Sequence, residues 1–392
     1  MPGQRNLRVL GVDPGTKTFD IAVVEGNEVR AEKSIPTEEI AKDPNVLINA
    51  IESFEVDYVV GPSGYGVPLT MGNEVIDPRR FAVEVLLLST EEDIKRGVEA
   101  GEVGIWVYDA LAKTVEHLIR KLGNKTLFLP GIIHLPTVPW YRRINKVDLG
   151  TVDKLAASFV AIYTYSQKEG LSYDKVNAIV AELGFGYNAA IAVNGGKIVD
   201  GIGGTVASIG TLTAGALDLE VVAHENSWER WDVFHGGIFY YAKVYDMQEL
   251  INAYQKSEEP YASLFLAFIE GVAKDVMRAR ISTPKADIVL LTGRHSKYDL
   301  VVKLLKEYLK DLNIEPAGLL KGAVISKEAS QGYAAIGEGL MGGFFNDLVK
   351  HMQIDKACGT VTDYIIHERA NKFKERVLRL YLETVKNPIL CR

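Results

Sequence analysis

Several features are scarce or absent in this chain of 392 residues. Only two cysteines occur, both near the C-terminus, and their spacing shows neither a disulfide pattern nor a metal-ligand motif. No stretch approaches the ~20 apolar residues that a membrane-spanning helix needs. The formal net charge of −7 argues against nucleic acid or an anionic membrane as a main partner, because proteins that bind phosphate backbones usually carry a basic face. We therefore expect a cytoplasmic protein, in a reducing compartment, with no nucleic-acid and no membrane partner.

Apolar material is abundant by contrast. Hydrophobic residues make up 47% of the chain, which is enough to fill substantial cores, and 392 residues suggest two or three domains. The composition therefore predicts a globular protein.

The first distinctive motif lies close to the N-terminus. An apolar run over residues 7–12 ends in Asp13, turns through Pro-Gly, and is followed by a second apolar run. This pattern is typical of a β-hairpin whose first strand is buried, so that Asp13 lies where the strand ends and can hold Mg²⁺. An ordinary hairpin turn is the alternative interpretation. The residues that would offer N–H groups, hydroxyls and an ammonium to phosphate oxygens are Gly15, Thr16, Lys17 and Thr18.

The chain repeats this pattern at residues 179–193. An apolar run again ends in a carboxylate, Glu182, passes through a glycine turn and resumes as a second apolar run. Asp13 and Glu182 are then equivalent positions, and two facing hairpins of this kind can clamp a Mg²⁺-nucleotide between two similar domains. The phosphate-binding candidates in the second turn are Gly184, Gly186, Tyr187 and Asn188.

The paired hairpins resemble the first and second phosphate loops of the actin-like ATPase superfamily, which includes sugar kinases, acetate and butyrate kinases and chaperone ATPases. Residues 182–200 are similar to the His-Leu-Gly-x-Gly segment and following hairpin of acetate and butyrate kinases. Residues 57–64 look like the strand and loop near the acyl site of butyrate kinase. The overall pattern is most similar to archaeal proteins described as predicted butyrate kinases.

The resemblance implies an α/β fold of two duplicated actin-like (ribonuclease H-like) domains with a nucleotide cleft between them. We expect the first domain over residues 1–150 and the second over 151–392, with a last helix at about 367–385 packing back on the body. ATP and Mg²⁺ would be the cofactors, and Asp13 and Glu182 would organise the metal ion and water. Helices at 152–166 and 329–339 resemble the superfamily's connecting helices, and glycines in the second one indicate close packing between them.

Two further segments suggest a substrate site. The glycine- and proline-rich loop after residue 61 would present Ser63, Gly64 and Tyr65 to a substrate, with a surface loop as the alternative. Residues 126–148 resemble the catalytic strand and loop of acetate kinases, although Leu129-Pro130 replaces the carboxylate that orients the acyl acceptor there. A proline-rich hinge is the competing account. The residues near enough in sequence to act as substitutes are His134, Arg142, Arg143 and Asp148.

The base-binding side of the cleft is predicted from residues 287–296, which look like the superfamily's adenosine motif. Thr292 and Gly293 would flank the adenosine, and Arg294 stands where that motif usually has a second glycine, so it could reach a phosphate instead. Gly203 and Gly204 belong to a segment that imitates a dinucleotide fingerprint. We reject a Rossmann loop there, because no helix follows directly, but keep both glycines among the cofactor-binding candidates.

Two hypotheses for function follow. The first is a butyrate- or acetate-kinase-like enzyme that phosphorylates a small carboxylic acid. Against it, residues 211–215 lack the arginine that stabilises the transferring phosphoryl group in acetate kinases, unless Arg142 or Arg143 compensates. The second is a nucleotide-gated regulatory or binding ATPase of the same fold. The aromatic segment 228–241 would form an acyl pocket, a domain core or the surface of a homodimer.

Overall fold

Two β-sheets organise the computed structural model, which describes residues 6–391. Their strands alternate with helices along the chain, so the protein belongs to the α/β class, as expected. The strands are β1 (Arg8–Pro14), β2 (Thr18–Glu25), β3 (Glu28–Pro36), β4 (Tyr58–Val60), β5 (Thr70–Met71), β6 (Thr126–Phe128), β7 (Ala178–Leu183), β8 (Asn188–Asn194), β9 (Lys197–Ile202), β10 (Ile288–Thr292) and β11 (Asn313–Pro316).

The two sheets repeat one topology. The first has the order β3-β2-β1-β4-β6-β5 and the second β9-β8-β7-β10-β11 when read in the same direction. In each, an antiparallel three-stranded meander continues through its first strand into parallel strands. Both predicted hairpins are therefore confirmed, and the duplication inferred from the sequence is present in the fold.

Helices cover the sheets and connect them. The α-helices are α1 (Thr37–Lys42), α2 (Asn45–Glu52), α3 (Pro78–Arg80), α4 (Glu91–Glu99), α5 (Val103–Leu122), α6 (Trp140–Arg143), α7 (Val152–Glu169), α8 (Leu219–His224), α9 (Ile238–Ala242), α10 (Met247–Gln255), α11 (Tyr261–Ser282), α12 (Asp299–Tyr308), α13 (Glu328–Leu340), α14 (Asn346–Met352) and α15 (Asn371–Thr384).

Helices α7 and α13 cross each other in the core between the sheets. A Cβ at Gly332 would lie 2.0 Å from the carbonyl oxygen of Ala156, so the two helix backbones touch at this crossing. On the other face of α13, a Cβ at Gly11 would lie 2.4 Å from the backbone nitrogen of Ala334, which brings the helix directly onto β1. The predicted packing of the connecting helices is confirmed, and it carries both strand ends to one cleft.

The C-terminal part of the chain returns to the first sheet's half of the molecule. Helix α15 packs on the π-helical turn Phe81–Leu86, and the backbone nitrogen of Ile76 donates to the carbonyl of Thr384. This return also brings Cys391 to Cys358, and the two form a disulfide. The spacing of the two cysteines shows no disulfide pattern, yet the fold pairs them across 33 positions of the sequence, because their pairing depends on the path of the chain between them. Within residues 6–391, no helix is long and apolar enough to cross a membrane.

Candidate functional site

The turns of the two equivalent hairpins meet at their tips. A Cβ at Gly186 would lie 3.2 Å from Thr16 Oγ1, and Lys17 Nζ lies 5.3 Å from the centre of the Phe185 ring. Thr16 and Lys17 are otherwise exposed to solvent. The two turns that the sequence assigns to phosphate binding therefore lie next to each other.

Asp13 ends the buried strand β1 and is itself only 4% exposed. Its Oδ2 atom lies 3.4 Å from Lys327 Nζ, and the same ammonium lies 3.2 Å from Asp20, a buried residue of β2. Burial raises the pKa of Asp13 to about 7; Lys327 opposes this rise, whereas Asp153, Asp20 and Glu182 add to it. The pKa of the Asp13 carboxyl group is thus close to neutral pH, and other acidic side chains lie nearby.

Glu182 is the counterpart of Asp13 at the end of β7. Lys154 Nζ lies 3.2 Å from its Oε1 atom and also binds Asp153. Burial raises the pKa of Glu182, and Lys154 opposes the rise. The Oε2 atom of Glu182 is buried and has no hydrogen-bond partner in the described part of the chain. One oxygen of this carboxylate is therefore held by lysine and the other is left for a ligand.

The two lysines are the main feature of the site that the sequence analysis missed. Lys154 follows an acid at the start of α7, and Lys327 precedes an acid, Glu328, at the start of α13. Each connecting helix thus supplies an ammonium to the carboxylate at the end of a central strand. A lysine at a helix N-terminus is unfavourable, because its charge opposes the helix dipole. A lysine at the N-terminus of both connecting helices is therefore a sequence signal from which Lys154 and Lys327 could have been identified.

Glycines in both hairpin turns allow the backbone to fold tightly around these groups. A Cβ at Gly15 would lie 2.5 Å from the carbonyl oxygen of Thr18 and 2.7 Å from Lys327 Nζ. A Cβ at Gly184 would lie 2.5 Å from the carbonyl oxygen of Tyr187. Any larger residue at either glycine would push against the opposite side of its own turn.

Asp148 joins the site through the end of the second meander. A Cβ at Gly203 or Gly204 would lie 2.3 Å from an oxygen of its carboxylate, so both glycines make room for this side chain. The backbone nitrogen of Gly150 donates to Asp148 Oδ1 at 2.7 Å. Burial raises the pKa of Asp148 to about 6, against the effects of that hydrogen bond and of Lys154. Asp148 is therefore the predicted substitute whose pKa is influenced by Lys154, a lysine of the site.

The predicted adenosine segment follows β10 and borders the second hairpin. Thr292 pairs with Glu182 across the sheet, and Gly293, at φ 84°, would place a Cβ 2.5 Å from the carbonyl oxygen of Leu183. Arg294 is exposed. The next residue, His295, is buried, and burial lowers its pKa to about 4, so it stays neutral near pH 7.

Three buried polar atoms without hydrogen-bond partners in the described residues lie along one strand-end edge. They are Glu182 Oε2, Asn188 Oδ1 and Thr292 Oγ1. Buried polar atoms are rarely left unpaired in a native protein, so such a row indicates groups that a ligand or water completes. No group of three or more metal-binding side chains occurs within residues 6–391. A Mg²⁺ ion normally takes one or two carboxylates and fills its other positions with phosphate oxygens and water, and Asp13 and Glu182 fit that requirement.

The loop after β4 contributes Tyr65 to a cluster that the sequence analysis did not assemble. Arg230, from the 3₁₀ turn Arg230–Phe234, donates through Nη2 to the hydroxyls of Tyr108 and Tyr65 at 3.2 and 3.5 Å. Ser63 is fully buried and its Oγ donates to the carbonyl of Gly61, while the carbonyl of Gly64 accepts from the first residue of α7. The loop thus joins the arginine cluster to a connecting helix.

Three predicted catalytic or substrate residues have other partners. Arg143 is buried; its Nε donates to the Val138 carbonyl at 2.9 Å, and its guanidinium packs on the Tyr364 ring. Arg142 donates to the carbonyl of Val199 at 2.8 Å. Burial lowers the pKa of His134 to about 4, and its Nδ1 accepts a hydrogen bond from the backbone nitrogen of Gly131 in its own loop. The structure does not bring these side chains to the cluster around Asp13 and Glu182.

Solved structures with the same arrangement of sheets define the class of this fold. The crystal structure of acetate kinase from Entamoeba histolytica aligns with a TM-score of 0.51 at 15% identity, covering 77% of this chain and 86% of that one. Acetate kinase from Porphyromonas gingivalis also aligns with a TM-score of 0.51, at 13% identity over 83% of this chain and 98% of that one. The chain therefore has the two-domain fold of the actin-like ATPase superfamily.

Within that class, residues 11–367 match the family described as "Protein of unknown function (DUF1464)", and the chain belongs to this family. It is also similar to proteins described as "Probable butyrate kinase". One, from Bacteroides thetaiotaomicron, is 21% identical over 339 residues, which cover 79% of this chain and 93% of that protein. Another, from Listeria welshimeri, is 23% identical over 355 residues, which cover 79% and 92% respectively.

Proposed function

We propose that this protein is an ATP- and Mg²⁺-dependent phosphotransferase whose acceptor is a small carboxylic acid. The observation that carries the proposal is the symmetric pair of strand-end carboxylates, Asp13 and Glu182, each held by a lysine where two glycine turns lie next to each other. Resemblance to acetate and butyrate kinases supplies the acceptor class, since fold alone does not define a substrate.

The site residues take roles that follow from their chemistry. Asp13 and Glu182 would hold Mg²⁺, which when bound to ATP neutralises charge on the β- and γ-phosphates. The two turns would hold the phosphates through backbone N–H groups, and residues 292–294 would border the adenosine. Lys154 and Lys327, released in part from their carboxylates, would then offer ammonium groups to phosphate oxygens.

Phosphoryl transfer to a carboxylic acid needs little covalent help from the protein. The acceptor carboxylate is already ionised at neutral pH, so the site has only to place it in line with the γ-phosphate and stabilise the spreading charge. The arginine-free loop at 211–215 does not supply that stabilisation, and in this proposal Lys154 and Lys327 would supply it.

Acid-dependent ADP formation tests the proposal against the alternative of a regulatory ATPase. With Mg-ATP saturating, a panel of acetate, propionate, butyrate and valerate should raise the rate of ADP release well above the rate without acid. A regulatory ATPase of the same fold would release ADP at one rate in every sample. That second result would exclude the acyl kinase function, but it would not exclude nucleotide binding.

A further inference from the structure

Arg230 reaches from the second half of the molecule into the first. Its Nε donates to the carbonyl of Leu88 at 3.2 Å, and its Nη2 donates to the carbonyl of Leu87 at 3.0 Å. The guanidinium also lies 5.3 Å from the centre of the Tyr108 ring. Its Nη1 has no hydrogen-bond partner among residues 6–391, so one edge of the planar group is unused.

No carboxylate lies within ion-pair distance of Arg230 in the described part of the chain. All its partners are neutral: two carbonyl groups and the hydroxyls of Tyr65 and Tyr108. A charged group that is partly removed from water normally has a counter-ion, because desolvation of an unpaired charge is costly. The position therefore calls for an anion from outside the chain.

The carbonyl groups that orient Arg230 come from a strained piece of backbone. Leu88 has φ 48°, a left-handed conformation that a leucine seldom adopts. Leu88 lies two residues after the end of the π-helical turn Phe81–Leu86. Backbone strain of this kind is typical of binding sites, where the surrounding structure fixes a conformation that would otherwise relax.

The same niche adjoins both the phosphate turns and Asp148. Tyr187, in the second turn, donates its hydroxyl to Val233, three residues after Arg230. A Cβ at Gly204 would lie 2.3 Å from Asp148 Oδ2 and 3.8 Å from Cδ1 of the Tyr187 ring, so the carboxylate lies near this phenol. Tyr65, Tyr108, Tyr187 and Arg230 are all partly exposed, so the niche opens to solvent.

We propose that Arg230 and the phenols of Tyr65 and Tyr108 form the subsite that binds the carboxylate of the acceptor, an inference that rests on the proposed function. The unused edge of the guanidinium binds the carboxylate. A phenol that accepts a hydrogen bond from Arg230 keeps its own O–H, which it donates to a carboxylate oxygen. Arg230 then takes the role of orienting the acceptor, for which the sequence analysis offered Arg142 and Arg143 among the substitutes.

Two arginines in contact with one segment allow a matched test. Arg96 pairs with Glu229 and lies over the Trp231 ring at 5.9 Å, so it fastens the same 3₁₀ turn to the first half of the molecule from a more exposed position. Arg230→Gln, Arg230→Lys and Arg96→Gln are compared with the unchanged protein. The measurements are KM for butyrate, KM for ATP, and the dissociation constant of butyrate by calorimetry in the presence of Mg-ADP.

Arg230→Gln should raise both the KM and the dissociation constant of butyrate by roughly 10- to 100-fold, because a charge-assisted hydrogen bond is lost, while KM for ATP stays within about twofold. Arg230→Lys should recover part of the loss, since lysine keeps the charge without the planar fork. Arg96→Gln should leave all three constants within about twofold.

Three results would overturn the inference. If Arg230→Gln binds and uses butyrate as the unchanged protein does, the acceptor subsite lies elsewhere and the kinase function stands. If Arg230→Gln and Arg96→Gln weaken butyrate and ATP alike, Arg230 only fastens the segment. If the unchanged protein neither binds any of the short acids nor releases ADP in response to them, the inference and the proposed function fail together.

Discussion

Lys327 Nζ lies 3.4 Å from Asp13 Oδ2, although the two residues are 314 positions apart in the chain. The lysine comes from the start of α13, and the carboxylate from the end of β1. The proposed metal ligand is therefore charge-compensated before a nucleotide binds, and Lys154 does the same for Glu182. Binding of Mg-ATP would loosen both ion pairs, which links nucleotide binding to the junction between the sheets and their connecting helices.

Asp13→Asn should weaken binding of Mg-ATP on the order of tenfold or more, because a neutral amide is a poorer ligand for a hard cation than a carboxylate. Binding of ATP without Mg²⁺ should change little. Calorimetry with and without Mg²⁺ measures both. Glu25→Gln, at the far end of the same hairpin, is the control. Equal affinity of Asp13→Asn and the unchanged protein for Mg-ATP would remove Asp13 from the site.

Lys327→Met should lower the free energy of unfolding by about 3–5 kcal/mol, because it leaves the buried carboxylates of Asp13 and Asp20 without their cation. Urea denaturation measures this change. Lys321→Met is the matched control from the same region, since its pair with Glu28 is exposed and worth at most about 1 kcal/mol. Added Mg²⁺ should recover more stability in Lys327→Met than in the control. Equal losses in the two variants would contradict the role given to Lys327.

Glu182→Gln should lower kcat more than it raises KM for ATP. One oxygen of Glu182 already has Lys154 as its partner, and the unpartnered oxygen is the one available to a metal ion or water at the transition state. Steady-state kinetics with saturating acid separates the two constants. Parallel changes in both would indicate that Glu182 serves only the structure.

His295 should make the protein sensitive to acid. Burial lowers its pKa in the folded state to about 4, below the usual value of 6.5, so only the unfolded chain takes up a proton between these values. This contribution to stability is complete above pH 6.5 and is lost as the pH falls towards 4. Between pH 7.5 and 5.0, His295→Phe should lose about 2 kcal/mol less unfolding free energy than the unchanged protein.

Urea denaturation at the two pH values provides the comparison for His295. The exposed His224 supplies a control, because His224→Gln should keep the pH dependence of the unchanged protein. If the free energy of unfolding changes equally with pH in His295→Phe and in the unchanged protein, burial does not lower the pKa of His295 in the folded state.

Local patterns predicted much of the fold. Each hairpin is encoded in about fifteen consecutive residues by apolar runs around a carboxylate and a glycine turn, so the sequence was sufficient to find Asp13 and Glu182. The packing of the connecting helices was also predictable, because glycines inside a helix such as α13 indicate a close neighbour. In the structure, Gly332 contacts Ala156.

The partners of those residues could not be predicted from the sequence. Lys327, Lys154 and Arg230 reach their positions through tertiary contacts between distant segments, and no local pattern connects them with a strand end. Arg142 and Arg143 are sequence-based candidates because they follow Leu129-Pro130 closely, but Arg143 is satisfied by the carbonyl of Val138 and by Tyr364. Proximity along the chain alone therefore does not show which of these side chains lie near Asp13 and Glu182 in the fold.

Trapping of an acyl phosphate tests the central claim most directly. The protein is incubated with Mg-ATP, butyrate and hydroxylamine, and butyryl hydroxamate is measured against ADP. Our account predicts hydroxamate and ADP in equal amounts, both dependent on butyrate and Mg²⁺, because the acid replaces water as the acceptor of the phosphoryl group. ADP released at one rate with or without a panel of short acids, and no hydroxamate from any of them, would contradict it.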